Sequence, residues 1–496
     1  MLFAMTTGAT AAEADTMAIA EHNSLWNNVL SMSNGNPALY GHKYNKDFSQ
    51  FGVYADASKA DKPVLLQLGD GKTMFGADVK TYLHPWKATN VWGSASYRKG
   101  KTRNIKWNST SDFLLLYPYV MADTLGGEMH NERYTFSGGF STDIKKWTIG
   151  GEMIFRAEHE WRTRDPRPRA ITTDLTMRIG ASYPITRNYN LGLTLGARFY
   201  KQTNDVDFYQ EAGTIPEFHM IGLGADYTRV SGSNNDVYYK ATGFNAQLDF
   251  KPKQDISGVY ASVFTSYVPF KKINTQLNAM PMSTLYNMDL KAEAGWKHEG
   301  NISWSGFAGI DFEKREGDEH ISGSSSSLEY FIIGKLTMFY LDRKDYHVGG
   351  AVKIGKKNPL TVKAQGGYLN FSSHYVEPAR RIEYSKIYGT LAAQYIAALS
   401  KNMLLTCGID GNYFSNNDKK IVMPYASMDE KRTQLVNTNY ESLTADKWTV
   451  TPHARIDYHD KSMKGYALFL EASGTMGSLG KSNNYQAITM KAGVTF

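Results

Sequence analysis

Long segments of this chain alternate with period two, and that pattern limits the fold more than any other feature. Trp147, Ile149, Gly151, Met153, Phe155 and Ala157 interleave with Thr148, Gly150, Glu152, Ile154, Arg156 and Glu158. The same spacing returns around Leu175–Tyr183, Leu191–Phe199, Phe244–Phe250, Met288–Trp296 and Trp448–Tyr458, and in the closing stretch Tyr485–Phe496, where Ile488, Met490, Ala492, Val494 and Phe496 share one side. A strand turns successive side chains to opposite faces, so each segment carries one apolar and one wet face. Many of these segments reach the roughly 9–11 residues that a tilted strand needs to cross a bilayer. Their apolar faces tend to begin or end on Trp, Tyr or Phe, as an interfacial aromatic belt requires. A β-sandwich also alternates, but it has no reason to set so many full charges behind aromatic-ended apolar faces. The expectation is an all-β, transmembrane antiparallel β-barrel.

Composition agrees with this pattern. The 496 residues include 32 Tyr and 44 Gly against one Cys, so an internal disulfide is excluded and tight turns and interfacial rings are provided for. Mean hydropathy is −0.43 and no long apolar run occurs, so no helix is expected to cross a membrane. A net charge of +7 is modest for this length and gives no reason to expect nucleic acid as a partner.

Residues 1–14 read as a shortened signal peptide ending at Ala12-Glu-Ala14, although they lack a basic leader. Residues 15–47 read as an N-terminal helical segment. Leu25, Trp26, Val29 and Leu30 recur at helical spacing over 16–33, and Asn34-Gly-Asn-Pro37 ends the pattern. This segment, with Trp26, Asn36 and Pro37, would be either a plug in the lumen or a cap below it. Residues 48–496 form the expected barrel. Its connections fall into two classes. Short ones lie near 143–146, 184–188, 252–255, 298–301, 399–402 and 459–462. Long ones lie near 101–129, 202–236, 271–283, 315–327, 374–381 and 415–444. Short turns on the periplasmic side and long loops outside are the outer-membrane arrangement. Parity then gives about 18 crossings, with 14 to 20 open, and puts the C-terminus on the periplasmic side. Segments 217–230 and 328–341 look strand-like but do not fit as crossings of their own. Ile488–Phe496 should pair with a first strand inside 49–69.

Several stretches, Trp92–Tyr97, Ile105–Asp112, Tyr117–Asp123, Gly126-Gly127, Tyr134–Gly139 and Asp165–Pro168, resemble a family of outer-membrane β-barrels from Bacteroidota whose function is unknown, the DUF6850 family. The resemblance implies fold and location and brings no substrate or catalytic residue. Asn36-Pro-Ala38 after a helix is also similar to the hatch motif of fatty-acid-transporter barrels, a family with 14 strands.

Candidate chemistry sits on the wet faces. Glu152, Arg156, Glu158, Asp174, Arg178, Arg198, Asp289, Lys291, Glu293, His453, Arg455 and Asp457 should point into the lumen, where they would either pair with one another or line a polar pore or ligand site. Arg162, Arg164, Arg167 and Arg169 crowd a Pro-stiffened loop that would either hold an anion or partner, lipopolysaccharide phosphate included, or clamp the loop internally. Gly69-Asp-Gly-Lys-Thr73 lacks the first glycine of a phosphate-binding loop. Glu158-His-Glu160 lacks zinc-ligand spacing. No catalytic, metal or cofactor site is expected. The expected function is a channel or an accessory component of outer-membrane transport. The alternatives are a lipid-remodelling enzyme with a His, Ser or Asp at the rim and a scaffold presenting long loops. Expected partners are outer-membrane lipid and lipopolysaccharide, the barrel-assembly machinery through the strand ending at Phe496, and a transport complex.

Overall fold

The computed structural model describes residues 16–209, 216–228, 230–231, 236–323, 331–460, 463 and 465–496. The expected signal peptide, residues 1–14, lies outside them. Eighteen antiparallel strands close into one barrel. They are β1 (Phe48–Ala60), β2 (Gly71–Trp86), β3 (Thr89–Ile105), β4 (Gly127–Ile144), β5 (Trp147–Trp161), β6 (Arg167–Pro184), β7 (Tyr189–Asp207), β8 (Val237–Pro252) and β9 (Gly258–Asn274). The wall continues through β10 (Met280–His298), β11 (Ile302–Ser322), β12 (Ile332–Ile354), β13 (Leu360–Tyr375), β14 (Arg380–Ser400), β15 (Met403–Val422), β16 (Lys447–His459), β17 (Ala467–Ser478) and β18 (Asn484–Thr495). Each strand pairs with the next, and β18 returns to β1 with Gln50 opposite Thr495 and Ala60 opposite Tyr485. Ser49 and Phe496 exchange two backbone hydrogen bonds of 2.8 Å, so the ladder runs to the last residue.

The alternation sorts the two faces as the sequence predicts. Phe136, Met153, Ile179, Leu193, Phe244, Val348, Leu391 and Leu470 point outward and are exposed, Ile179 at 68%. An apolar band of this extent around a closed sheet is a surface for lipid. Nine connections at one end are short or join the chain ends, and the other end carries the long ones. Several long loops are shorter than the sequence suggests, because the strands continue past the bilayer. The β9–β10 and β13–β14 connections come down to 275–279 and 376–379. β12 alone runs for 23 residues, so 332–341, within the strand-like segment read at 328–341, is the outer part of a crossing strand. By contrast, the described residues of 217–230 are not wall at all. Phe218–Gly222 pairs with Met121–Ala122 and with Ala225–Asp226 in a small sheet inside the mouth.

The N-terminal helix is present but shorter than the 16–33 expected. Helix α1 covers only Thr16–Asn23, followed by 3-10 turns at Leu25–Asn28 and Met32–Gly35 and the single-turn α2 at Pro37–Tyr40. Asn and Ser side chains here bond to nearby carbonyls instead of extending the helix: Asn27 Nδ2 donates to Glu21 O at 2.7 Å and Ser33 Oγ to Leu30 O at 2.9 Å.

Candidate functional site

An 18-stranded barrel is wide enough to enclose an aqueous channel unless something fills it. Here both mouths hold folded chain. At the short-turn end the N-terminal segment crosses the lumen and is tied to opposite sectors of the wall. On one side Trp26 is buried, its Nε1 donates to Glu299 Oε1 at 3.0 Å, and Lys353 and Lys297 flank its ring at 5.2 and 5.8 Å. Leu25 N and Asn23 O are bound by the Gln394 amide at 2.7 and 2.9 Å.

On the other side the Asn36-Pro37-Ala38 turn rests on β5, β6 and β7. Asn36 Oδ1 caps α2 by accepting from Ala38 N at 3.0 Å, and Asn36 Nδ2 lies 3.5 Å from Asp249 Oδ2. Three glycines make room for the turn. Gly150 and Gly180 are cross-strand partners, and Gly192 lies on the next strand. A Cβ at Gly150 would come within 2.8 Å of Ala38 N. One at Gly180 would run into Asn36 Oδ1, and one at Gly192 would approach Leu39 Cδ1 to 2.9 Å. Trp26, Asn36 and Pro37 therefore all lie against inward-facing residues of the wall. Below the plug a basic vestibule of about 1500 Å³ opens, with Lys43, Lys146, Lys251, Lys297 and Lys353 among its lining residues.

At the long-loop end, residues 106–126 fold inward. The segment carries α3 (Phe113–Leu116) and packs Trp107, Phe113, Leu116, Val120 and Met121 against inward Tyr200, Tyr239, Phe270, Phe339 and Tyr375. A loop buried this way must have its carbonyls satisfied. The wall supplies donors: Arg162 to Asn108 O at 3.3 Å, Arg315 to Leu114 O at 2.7 Å, Tyr239 to Tyr119 O at 2.9 Å and Lys272 to Val120 O at 3.3 Å. Asp112 accepts a bidentate pair from Arg156 at 2.8 and 2.5 Å and a hydrogen bond from Tyr200 at 3.0 Å. Helix α4 (Lys431–Thr444), in the loop between β15 and β16, covers this plug with Leu435 and Val436, and Arg432 pairs with Asp226 of the small sheet. Ser109 Oγ lies 3.0 Å from both Asp123 Oδ2 and Glu217 Oε1; its single proton serves one of them, and a protonated Glu217 can donate to the hydroxyl in return. Burial and the neighbouring Asp123 push the Glu217 carboxyl up to about 8.

Between the plugs the sequence-predicted charges face inward, and most of them find partners. Arg156 also bonds Glu158 at 2.6 Å, and Asp174 joins Arg156 to Arg198 at 3.3 and 2.8 Å. Glu152 lies 3.4 Å from Arg178 and accepts from Trp92 Nε1 at 3.1 Å. Asp289 accepts from Ser266 at 2.7 Å, Lys291 lies 3.8 Å from Asp311, and Glu293 is opposite Gly309 on β11. Arg455 holds Asp457 at 2.6 Å and Gln50 at 2.7 Å. His453 Nδ1 lies 3.3 Å from Asp410 in mid-wall rather than at the rim. The four loop arginines do not converge. Arg162 is buried and clamps Asp123 at 2.8 Å, Arg167 binds Asp165 at 2.7 Å and stacks on Tyr209, Arg169 reaches His159 at 3.3 Å, and Arg164 is exposed.

The family of unknown function DUF6850 matches residues 37–496, from the first residue of α2 to the end of the closing strand. The chain belongs to that family. No curated protein matches the sequence. Among solved structures the DUF6850 barrel is similar to the ferric preacinetobactin receptor BauA of Acinetobacter baumannii, at 9% identity and a TM-score of 0.39, with 91% of this chain and 80% of that one covered. It is similar also to a mutant of the ferric enterobactin receptor PfeA of Pseudomonas aeruginosa, at 7% identity and a TM-score of 0.39, with 90% and 80% covered. At these values the likeness is of one large barrel to another and says nothing of ligand or partner.

Proposed function

We propose that this protein is an outer-membrane barrel that takes part in transport as a plugged, gated unit rather than as an open pore. In this reading the short-turn end and Phe496 face the periplasm and the long loops face outward, among lipopolysaccharide. The observation that carries it is the occupation of both mouths: an N-terminal segment anchored to opposite sides of the wall, and an inward loop whose carbonyls the wall strands receive. A simple pore has no use for a lumen lined with donors for its own loops. Most of the lumen charges neutralise one another, Arg156 among them holds the outer plug through Asp112, and the basic vestibule offers an acidic periplasmic partner a place to act on the N-terminal segment. Conductance in planar bilayers tests the reading. The intact barrel should give no sustained steps. A variant lacking residues 16–45, with 108–124 replaced by a short Gly-Ser link, should conduct continuously. Sustained conductance from the intact, correctly folded protein overturns it.

A further inference from the structure

The outer plug does not fill its end of the lumen. Between the inward loop, α4 and the wall lies a separate chamber of about 440 Å³. Its size is within the range of about 300–1,000 Å³ that holds small ligands. Trp107, Phe113, Tyr117, Leu341, Phe371 and Tyr384 give it apolar, largely aromatic walls, and the Phe371 and Tyr384 rings stack at 4.7 Å.

Two polar groups of the chamber are not accounted for by the fold. Ser373 is 1% exposed, and its Oγ finds no hydrogen-bond partner among the described residues. A buried hydroxyl without a partner is costly, and a ligand atom is one way to satisfy it. Arg343 is held only at long range, 3.8 Å from Glu313 and 4.0 Å from Asp345. Both carboxylates are already engaged: Arg315 binds Glu313 at 2.6 Å, and Tyr388 donates to Asp345 at 2.7 Å. Leu341 faces Ser373 across the β12–β13 ladder and Arg343 faces Phe371, so Arg343 and Ser373 are diagonal neighbours on the lumen side. Diagonal pairs lie about 7–8 Å apart, within reach of one anionic group set between them.

We propose that this chamber binds one small molecule with an apolar, ring-containing body and a single anionic group, the body against the aromatic wall and the anion between the Arg343 guanidinium and Ser373 Oγ. As a statement about transported substrate it rests on the plugged-barrel reading; as a statement about binding it stands alone. The probes are 8-anilinonaphthalene-1-sulfonate and its neutral counterpart N-phenyl-1-naphthylamine, titrated into the detergent-solubilised full chain. The sulfonate should bind saturably at one per barrel and more tightly than the neutral compound. Arg343→Gln should weaken the sulfonate at least tenfold and leave the neutral compound within twofold. Arg343 is half exposed, so this variant keeps its fold. Ser373→Phe, which puts a ring into the chamber at the anion end, should weaken both, with heat-dependent gel mobility reporting barrel folding. If the Ser373 variant does not fold, the Arg343 arm still decides. Non-saturable binding, equal affinities for the two probes, or a sulfonate affinity unchanged by Arg343→Gln overturns the proposal. Conductance is a separate readout, so a failure here and a failure of the gating reading are distinguishable.

Discussion

The glycine floor under the Asn36-Pro37-Ala38 turn gives the sharpest test of the plug. Gly150→Ala and Gly180→Ala each add one methyl group where the turn already makes contact. Forcing an extra carbon into a packed site costs about 1–3 kcal/mol. Displacing Asn36 also loses its cap on Ala38, worth about 1 kcal/mol. The gain of about 0.5–1 kcal/mol from alanine in place of a strand glycine belongs to the wall, which is folded with the plug docked or open, and so cancels from the opening equilibrium. Both methyls press on the same turn, so their costs add incompletely. The double variant should therefore loosen the plug by roughly 2–4 kcal/mol, about 30- to 800-fold in its opening equilibrium. Trypsin cleavage after Lys43 and Lys46 reads that equilibrium when opening is fast relative to cleavage. The wall should remain resistant and keep its heat-dependent mobility. Gly389→Ala, where a Cβ meets nothing within 4 Å, is the control and should behave as wild type. If the double variant is cleaved within twofold of that control, the turn is not seated on these glycines and the reasoning is wrong.

Two pH dependences of opposite sign separate the two plugs. His22 stacks between Tyr44 and Phe48 at 3.8 and 4.4 Å, and burial lowers it to about 4, so its contribution is complete above pH 6.5 and is lost as pH falls through 4. Cleavage of the N-terminal segment, with an acid-active protease, should rise across that window, and His22→Phe should flatten the rise. Glu217 is held neutral up to about 8, so its contribution is complete below about pH 4.5 and is lost as pH rises through 8. Hydrogen exchange of 106–126, corrected for intrinsic rate, should accelerate from pH 6 to 9, and Glu217→Gln should remove most of that change.

The wall was legible because its signal is local. Period two along Trp147–Ala157 fixes both the lipid side of Met153 and the lumen side of Arg156 before any partner is known. The short turns and their parity then limited the strand number, and the wet-face charges followed from the same alternation. The plugs were not legible in that way. Trp26 and Asn36 stood out, but their partners Glu299 and Asp249 are more than two hundred residues away. Gly150, Gly180 and Gly192 read as small residues on wet faces, although they are the floor of a contact. The run Phe113–Met121 carried a usable signal. So many apolar residues in a loop have no reason to face water, but the reading of 101–129 as a long outer connection left that signal unused. The arginines at 162–169 left two readings open in the sequence, an anion or partner site and an internal clamp. The strand ends send Arg162 to Asp123, Arg167 to Asp165 and Arg169 to His159, destinations that sequence spacing alone does not give.

The wall's donors to residues 106–126 also set an order of events. That loop leaves β3, but its carbonyls are received by residues on β8, β9 and β11, up to about two hundred positions later. Contacts of such long sequence separation form late, because their loop-closure cost comes before their gain. The loop therefore cannot dock until those strands stand in place, and until then its aromatic run faces a hollow, wet interior. Assembly passes through an unfilled barrel before it reaches the filled one.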